Sequence, residues 1–197
     1  MIRRALLLAL AALAVAPGAT AGTATAGKVL VRLDTTVGSI TLALDRRHAP
    51  ITTANFLRYI DEKRLVGTAF YRASRVGRGD RGLIQGGTRN GFPRVLPPIA
   101  HEPTSRTGLR HVTGTISMSR EKPGSATGDF FITIGAMPTY DAHGKDPGYA
   151  AFGQVVAGMP TVRRILAAPT TKHSGYEGMR NQMITNPIRI TGTARVG

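Results

Sequence analysis

The sequence has no cysteine. That excludes a thiol nucleophile, a cysteine zinc site, a lipid-modified N-terminal cysteine and every disulfide, so any exported form of the chain must be held by its core alone. Acidic residues are scarce: 11 Asp and Glu stand against 26 Lys and Arg, a formal charge of +15. This balance favours anionic partners such as acidic proteins, lipid headgroups or envelope polymers. It does not point to nucleic acid, because the aromatic-plus-basic spacing of a base-reading surface is missing. Long apolar runs are absent but for one near the start.

That run has the pattern of a targeting segment. Arg3 and Arg4 form a positive start, Ala5 to Ala16 are uncharged and apolar, and Pro17-Gly18 break the run before the small-x-small triplet Ala19-Thr20-Ala21. Twelve apolar residues are too few to span a bilayer. The expectation is a signal peptide over residues 1–21, with a second cleavage point as late as Ala26, and a mature domain over 27–197. No other segment is long and apolar enough to enter a membrane, so no span is expected after signal removal, and the location is periplasmic or secreted.

Beyond the leader, Val29–Leu33 and Ser39–Leu44 are short runs rich in β-branched residues around a turn at Asp34–Gly38, a hairpin. Pro50 stands where helices begin, and Ala54, Phe56, Leu57 and Ile60 give an apolar face through to Lys63. Strands are predicted at Ala69–Arg72, Leu83–Gln85, Gly114–Met118, Phe130–Ile134, Ala150–Val156 and Pro187–Thr191, with Gly- and Pro-rich loops from Gly86 to about Leu109. A second helix starts at Pro160 and stops before Pro169. Many short strands, two helices and long loops predict a mainly β fold, a closed antiparallel barrel capped by two α-helices.

Several motifs carry less than they suggest. Gly77-Arg78-Gly79-Asp80-Arg81-Gly82 spells G-x-G-x-x-G, but Leu83-Ile84-Gln85-Gly86-Gly87 cannot continue as the helix a dinucleotide site needs. The tripeptide Arg78-Gly79-Asp80 is too short a signal to use. His48, His101, His111, His143 and His173 lack metal-ligand spacing, and Pro103 spoils a helical pair after His101-Glu102. No G-x-S-x-G or phosphate-binding loop occurs. No cofactor and no metal are called for.

Four segments in order resemble one family. Phe70-Tyr71-Arg72 followed by Leu83-Ile84-Gln85-Gly86-Gly87 is similar to the cyclophilin signature. Gly114-Thr115-Ile116-Ser117-Met118-Ser119-Arg120 and Asp129-Phe130-Phe131-Ile132 resemble its central strands, and Gly148-Tyr149-Ala150-Ala151-Phe152-Gly153-Gln154-Val155-Val156 resembles its late strand. The chain is identified as a member of the cyclophilin-type peptidyl-prolyl cis–trans isomerases, nearest the exported bacterial branch, which also tends to carry Arg at the position of Arg120.

The resemblance implies eight strands in the barrel and a groove on its outside. It makes Arg72 the catalytic arginine and Gln85 the residue that orients it and holds substrate backbone. Leu83 and Phe131 become wall and floor of the proline pocket, and Ser119 and Arg120 its backbone-pairing edge. Of Phe130 and Phe131 only one can face the barrel interior, because neighbours on a strand point to opposite sides. Asp129 replaces the usual glutamine and is expected to pair with Arg72 or Arg120. Tyr140 is matched to the far aromatic wall, with Thr139 the alternative through a gap, and Tyr149 falls beside it. Gly82 stands where an aromatic is usual, and the Arg72–Gln85 segment is long, so the pocket is expected to open on one side. The implied partners are proline-containing proteins or peptides, and the protein is expected to act as a monomer. A binding module without useful catalysis is the alternative to an active isomerase.

Overall fold

The first two apolar runs fold onto each other as expected. In the computed structural model, which describes residues 27–89, 91, 93–172 and 177–197, β1 (Lys28–Thr35) pairs antiparallel with β2 (Gly38–Asp45) through a two-residue turn. The Thr35 hydroxyl donates to the Gly38 carbonyl across that turn. The expected signal peptide and His173 lie outside the described residues.

The remaining strands are β3 (Ala69–Val76), β4 (Arg81–Gly87), β5 (Thr115–Met118), β6 (Phe130–Ile134), β7 (Ala150–Ala157), the two-residue β8 (Thr170–Thr171) and β9 (Met183–Arg195). Their order is β1-β2-β7-β5-β6-β4-β3-β9, and β9 also pairs with β1. Eight strands therefore close on themselves, which leaves no open edge among them. The short β8 is attached outside the ring, on β9. The G-x-G-x-x-G segment is the tip of the β3–β4 hairpin, whose strands run four residues past Arg72 and begin two before Leu83.

Helix α1 (Pro50–Asp61) packs Phe56 into the barrel, with its ring 5.3 Å from Phe130 and 5.2 Å from Phe152. Tyr59 and Ile60 are buried beside it, and the Tyr59 hydroxyl accepts the Leu96 backbone N–H at 2.8 Å. Ala54, read as part of the apolar face, is exposed, and the helix stops at Asp61, not Lys63. Ala49 caps this helix with no side-chain oxygen. Instead the buried carboxylate of Glu102, some fifty positions away, accepts the N–H groups of Ile51 and Thr52 at 3.1 and 2.7 Å. Negative charge there meets the positive end of the helix dipole and satisfies two donors the helix leaves unpaired. Helix α3 (Met159–Leu166) buries Val162, Ile165 and Leu166. A single-turn helix, α2 (Thr104–Thr107), sits in the stretch read as loop and was not anticipated. No helix among the described residues is long and apolar enough to cross a membrane.

The barrel is filled from every strand of the ring: Val31, Leu42, Phe70, Ile84, Ile116, Phe130, Ile132, Phe152 and Ile188 are all buried in one cluster. Burying each such side chain contributes roughly 1.5–3 kcal/mol. On β5 and β6 both faces are buried, because loops cover their outer side. That covered outer face is where the expected site residues lie.

Candidate active site

Arg72, Gln85, Phe131, Ser117 and Ala151 stand directly opposite one another on β3, β4, β6, β5 and β7, one row across the outer face. Strict alternation would put Arg72 on the same side as Phe70, inside the barrel. A bulge prevents this: Phe70 pairs with Gly86 and Arg72 with Gln85, so Tyr71 is the extra residue between them. Phe70 stays in the core and Arg72 is turned outward. Bulges re-aim side chains in this way at the cost of one unpaired ladder position.

Two amide oxygens hold the Arg72 guanidinium. Nη1 donates to Gln85 Oε1 and Nε to Gln182 Oε1, each at 2.8 Å. Burial lowers the Arg72 pKa, yet a guanidinium starts so high that it stays charged. Gln85 is held at its other end, where Nε2 donates to Tyr71 Oη at 2.8 Å and to Ser119 Oγ at 3.0 Å. Burial, helped by the nearby Asp129 charge, pushes the Tyr71 phenol well above its usual range, so it remains neutral. Gln182 was not found from sequence. It lies 110 residues from Arg72 and arrives through a backbone bond from Ala73 N–H to its carbonyl.

Phe130 faces inward against Phe56 and Phe70, and Phe131 faces outward, as the two-sided strand requires. Tyr140 and Tyr149 meet the Phe131 ring at 5.5 and 5.3 Å and each other at 5.2 Å, all near edge-to-face. With the Tyr140, Tyr149 and His111 rings around it, Phe131 is only 4% exposed. Leu83 is buried on the same face, two residues before Gln85. The missing aromatic at 82 has a steric cause. Gly82 has φ +145°, and a Cβ there would lie 2.0 Å from the Ser74 carbonyl oxygen.

Behind Phe131 lies a buried chain. His111 stacks on that ring at 5.9 Å, its Nδ1 is 2.7 Å from Asp141 Oδ1, and its Nε2 is 3.0 Å from Ser117 Oγ. The order is that of a nucleophilic triad, but Ser117 is fully buried and no acyl group can reach it. It braces the aromatic floor. His111 has no metal-ligand or triad spacing in the sequence by which it would stand out.

Arg120 is turned away from a free edge. Its guanidinium donates to the Gly148 carbonyl through Nε, at 3.2 Å, and Nη2, and it lies 4.8 Å over the Tyr149 ring. Asp129 Oδ1 accepts the Arg89 backbone N–H at 2.8 Å, and the Arg89 guanidinium lies over the Tyr71 ring. Asp129 Oδ1 thus meets the Arg89 backbone, while Arg72 donates to two glutamines and Arg120 to Gly148. Gln85, Ser119, Arg120 and Asp129 line one wall of a cavity of about 520 Å³, with Tyr71 and Met183 also in contact. The row sets a fixed cation, hydrogen-bonding amides and an aromatic cluster side by side on the outer face, beside the cavity that Gln85 lines. Among the described residues no cluster of three His, Asp or Glu side chains is placed to hold a metal ion.

The family model described as cyclophilin type peptidyl-prolyl cis-trans isomerase/CLD matches residues 30–194. Peptidyl-prolyl cis-trans isomerase A of Dickeya dadantii is 35% identical over 161 residues, covering 78% of this chain and 80% of the relative. A peptidyl-prolyl cis-trans isomerase of Acinetobacter baylyi is 33% identical over 165 residues, covering 82% of each. In fold, the chain is similar to a Cryptosporidium parvum cyclophilin type isomerase solved in the presence of the dipeptide Ala-Pro, with a TM-score of 0.68 and 22% identity. That likeness covers 85% of this chain and 99% of the other.

Proposed function

The chain belongs to the cyclophilin-type peptidyl-prolyl cis–trans isomerases, and from that premise we propose that it accelerates Xaa–Pro rotation in exported proteins through Arg72, without a covalent intermediate. The barrier to be lowered is roughly 18–20 kcal/mol, because the C–N bond is partly double. Uncatalysed X–Pro exchange takes tens to hundreds of seconds. A five-decade acceleration asks for about 7 kcal/mol of preferential binding to the twisted amide.

Arg72 has what that task needs. Twisting the bond localises the nitrogen lone pair and leaves the carbonyl less conjugated, so a fixed cationic donor beside them favours the twisted state. Gln85 and Gln182 take two of the guanidinium N–H groups, and Arg72 stands in the same row as Phe131. Phe131, Leu83 and the two tyrosines form the apolar seat for the proline ring. Gln85 and Ser119 supply polar contacts to the substrate backbone. The observation that carries the reading is the clamp itself, a half-buried arginine held from two sides directly across the row from an outward phenylalanine.

The test is the cis-to-trans rate of a short Xaa–Pro peptide with wild type and with Arg72→Ala. Clear acceleration that drops at least about a hundredfold in the variant supports the mechanism. Equal turnover by both removes Arg72 from it. Export rests on the N-terminal pattern of Arg3, Arg4 and the Ala5–Ala16 run. Mass spectrometry of the protein from fractionated cells tests it: a chain beginning after residue 21 or 26 in the envelope fraction supports export, and an intact Met1 in the cytosol overturns it.

A further inference from the structure

Next to the groove lies a second cleft, of about 600 Å³, with a different character. Arg89, Arg94 and Arg189 line it, and no carboxylate does among the described residues. Among the described residues none of the three has a carboxylate within ion-pair distance of its guanidinium. Two are held in place: Arg89 lies 5.1 Å over the Tyr71 ring, and Arg94 Nη1 donates to the carbonyls of Arg64 and Val66. Arg189 is exposed on β9, opposite Ala69. Much of the floor is bare backbone, at Gly67, Gly87 and Gly91, and Gly87 has no room for a side chain because a Cβ would lie 2.4 Å from the Gly128 carbonyl oxygen.

Tyr71 and Arg89 line both this cleft and the cavity beside Gln85. The same tyrosine that steadies Gln85 therefore forms the partition, and a chain lying in the groove has a short path across it. The first cavity has mixed charge, with Glu121 and Asp129 facing Arg89 and Arg120. The second is lined by three arginines, and the Asp129 carboxylate, which accepts the Arg89 backbone N–H, stands behind its Gly87 floor. We infer that this cleft is a specificity subsite that takes an acidic side chain of the same polypeptide whose Xaa–Pro bond lies over Arg72. The inference rests on the isomerase reading and adds to it a substrate class: proline segments flanked by Asp or Glu.

The experiment compares matched Ala–Pro peptides that carry Glu, Ala or Lys at single positions roughly two to five residues from the proline, on either side. At low salt, kcat/KM for the best Glu peptide exceeds that of the Ala peptide by about 1.5- to fivefold, the range of exposed charge pairs. The Lys peptide falls below both. The advantage shrinks toward one in 1 M salt, where screening acts within about 3 Å. In Arg189→Glu the Glu/Ala ratio drops below one, and Arg89→Gln lowers it if the first variant fails to fold. Turnover of the Ala peptide with no ordering by charge at any position overturns the subsite and leaves the isomerase standing. If no peptide is turned over, calorimetric titration of the same panel decides: affinities ordered by charge uphold the subsite, and equal affinities sink it.

Discussion

Tyr71 and Arg72 are consecutive residues, yet they close on opposite ends of one amide group. The phenol oxygen lies 2.8 Å from Gln85 Nε2 and the guanidinium Nη1 2.8 Å from Gln85 Oε1. Only the bulge at Tyr71 lets neighbours in a strand share a face in this way. Gln85 is thereby fixed in both position and orientation. Tyr71→Phe removes one acceptor and keeps the ring under Arg89. A lost hydrogen bond of this kind is worth about 1 kcal/mol, so turnover should fall roughly fivefold with KM little changed. Unaltered kcat would mean that Ser119 and Arg72 hold the amide without the phenol.

Gln182 acts on Arg72 and on nothing else in the row. Gln182→Ala should lower kcat by about tenfold, the effect of losing one charge-assisted contact. In an Arg72→Ala background the same change should cost nothing further, because both act through one group. Additive losses in the double variant would show that Gln182 contributes by another route.

Rebuilding the family's aromatic at position 82 should fail. Gly82→Phe drives a Cβ to within 2.0 Å of the Ser74 carbonyl oxygen at a φ of +145°. The hairpin must then shift, and about 2–4 kcal/mol of stability should be lost. Urea unfolding measures this. A variant of wild-type stability with raised turnover would mean the hairpin accommodates the ring freely.

Stability should fall as pH drops below neutrality. Burial lowers the His111 pKa, and this outweighs the raising effect of Asp141. The unfolded chain, with its histidine near 6.5, then binds the proton more readily than the folded one. Stability attributable to His111 is full above the unfolded value and is lost progressively as pH falls from there toward the depressed folded value. His101 is shifted the same way by burial, so His101→Asn isolates the His111 contribution. Denaturant unfolding between pH 8 and 5, with the His111 imidazole followed by NMR, checks it. A His111 that titrates at or above 6.5 would contradict the assignment.

The elements were legible because each carried its own period. Ile40, Leu42 and Leu44 mark a strand, Phe56 and Ile60 a helix, and the closed ring follows from so many short strands. Arg72, Gln85 and Phe131 were legible through local motifs, and the structure brings them into one row. Gln182 and Glu102 were not, since each serves a partner 50 or more residues away and neither sits in a recognisable pattern. The bulge was hidden as well, because Phe70-Tyr71-Arg72 reads as plain alternation. Ala54 was misassigned because an alanine on a helix suits either face.

The seam of the barrel has a temporal meaning. β9 is the last strand, and it joins both β1 at the start of the ring and β3, while the residue just before it anchors Arg72. A chain that emerges N-terminus first must therefore wait with one flank of β1 and one of β3 unpaired until residues 183–195 are available. The arginine clamp assembles in the same event that seals the wall. A chain interrupted before Gln182 would therefore lack both the closed wall and the second anchor of Arg72.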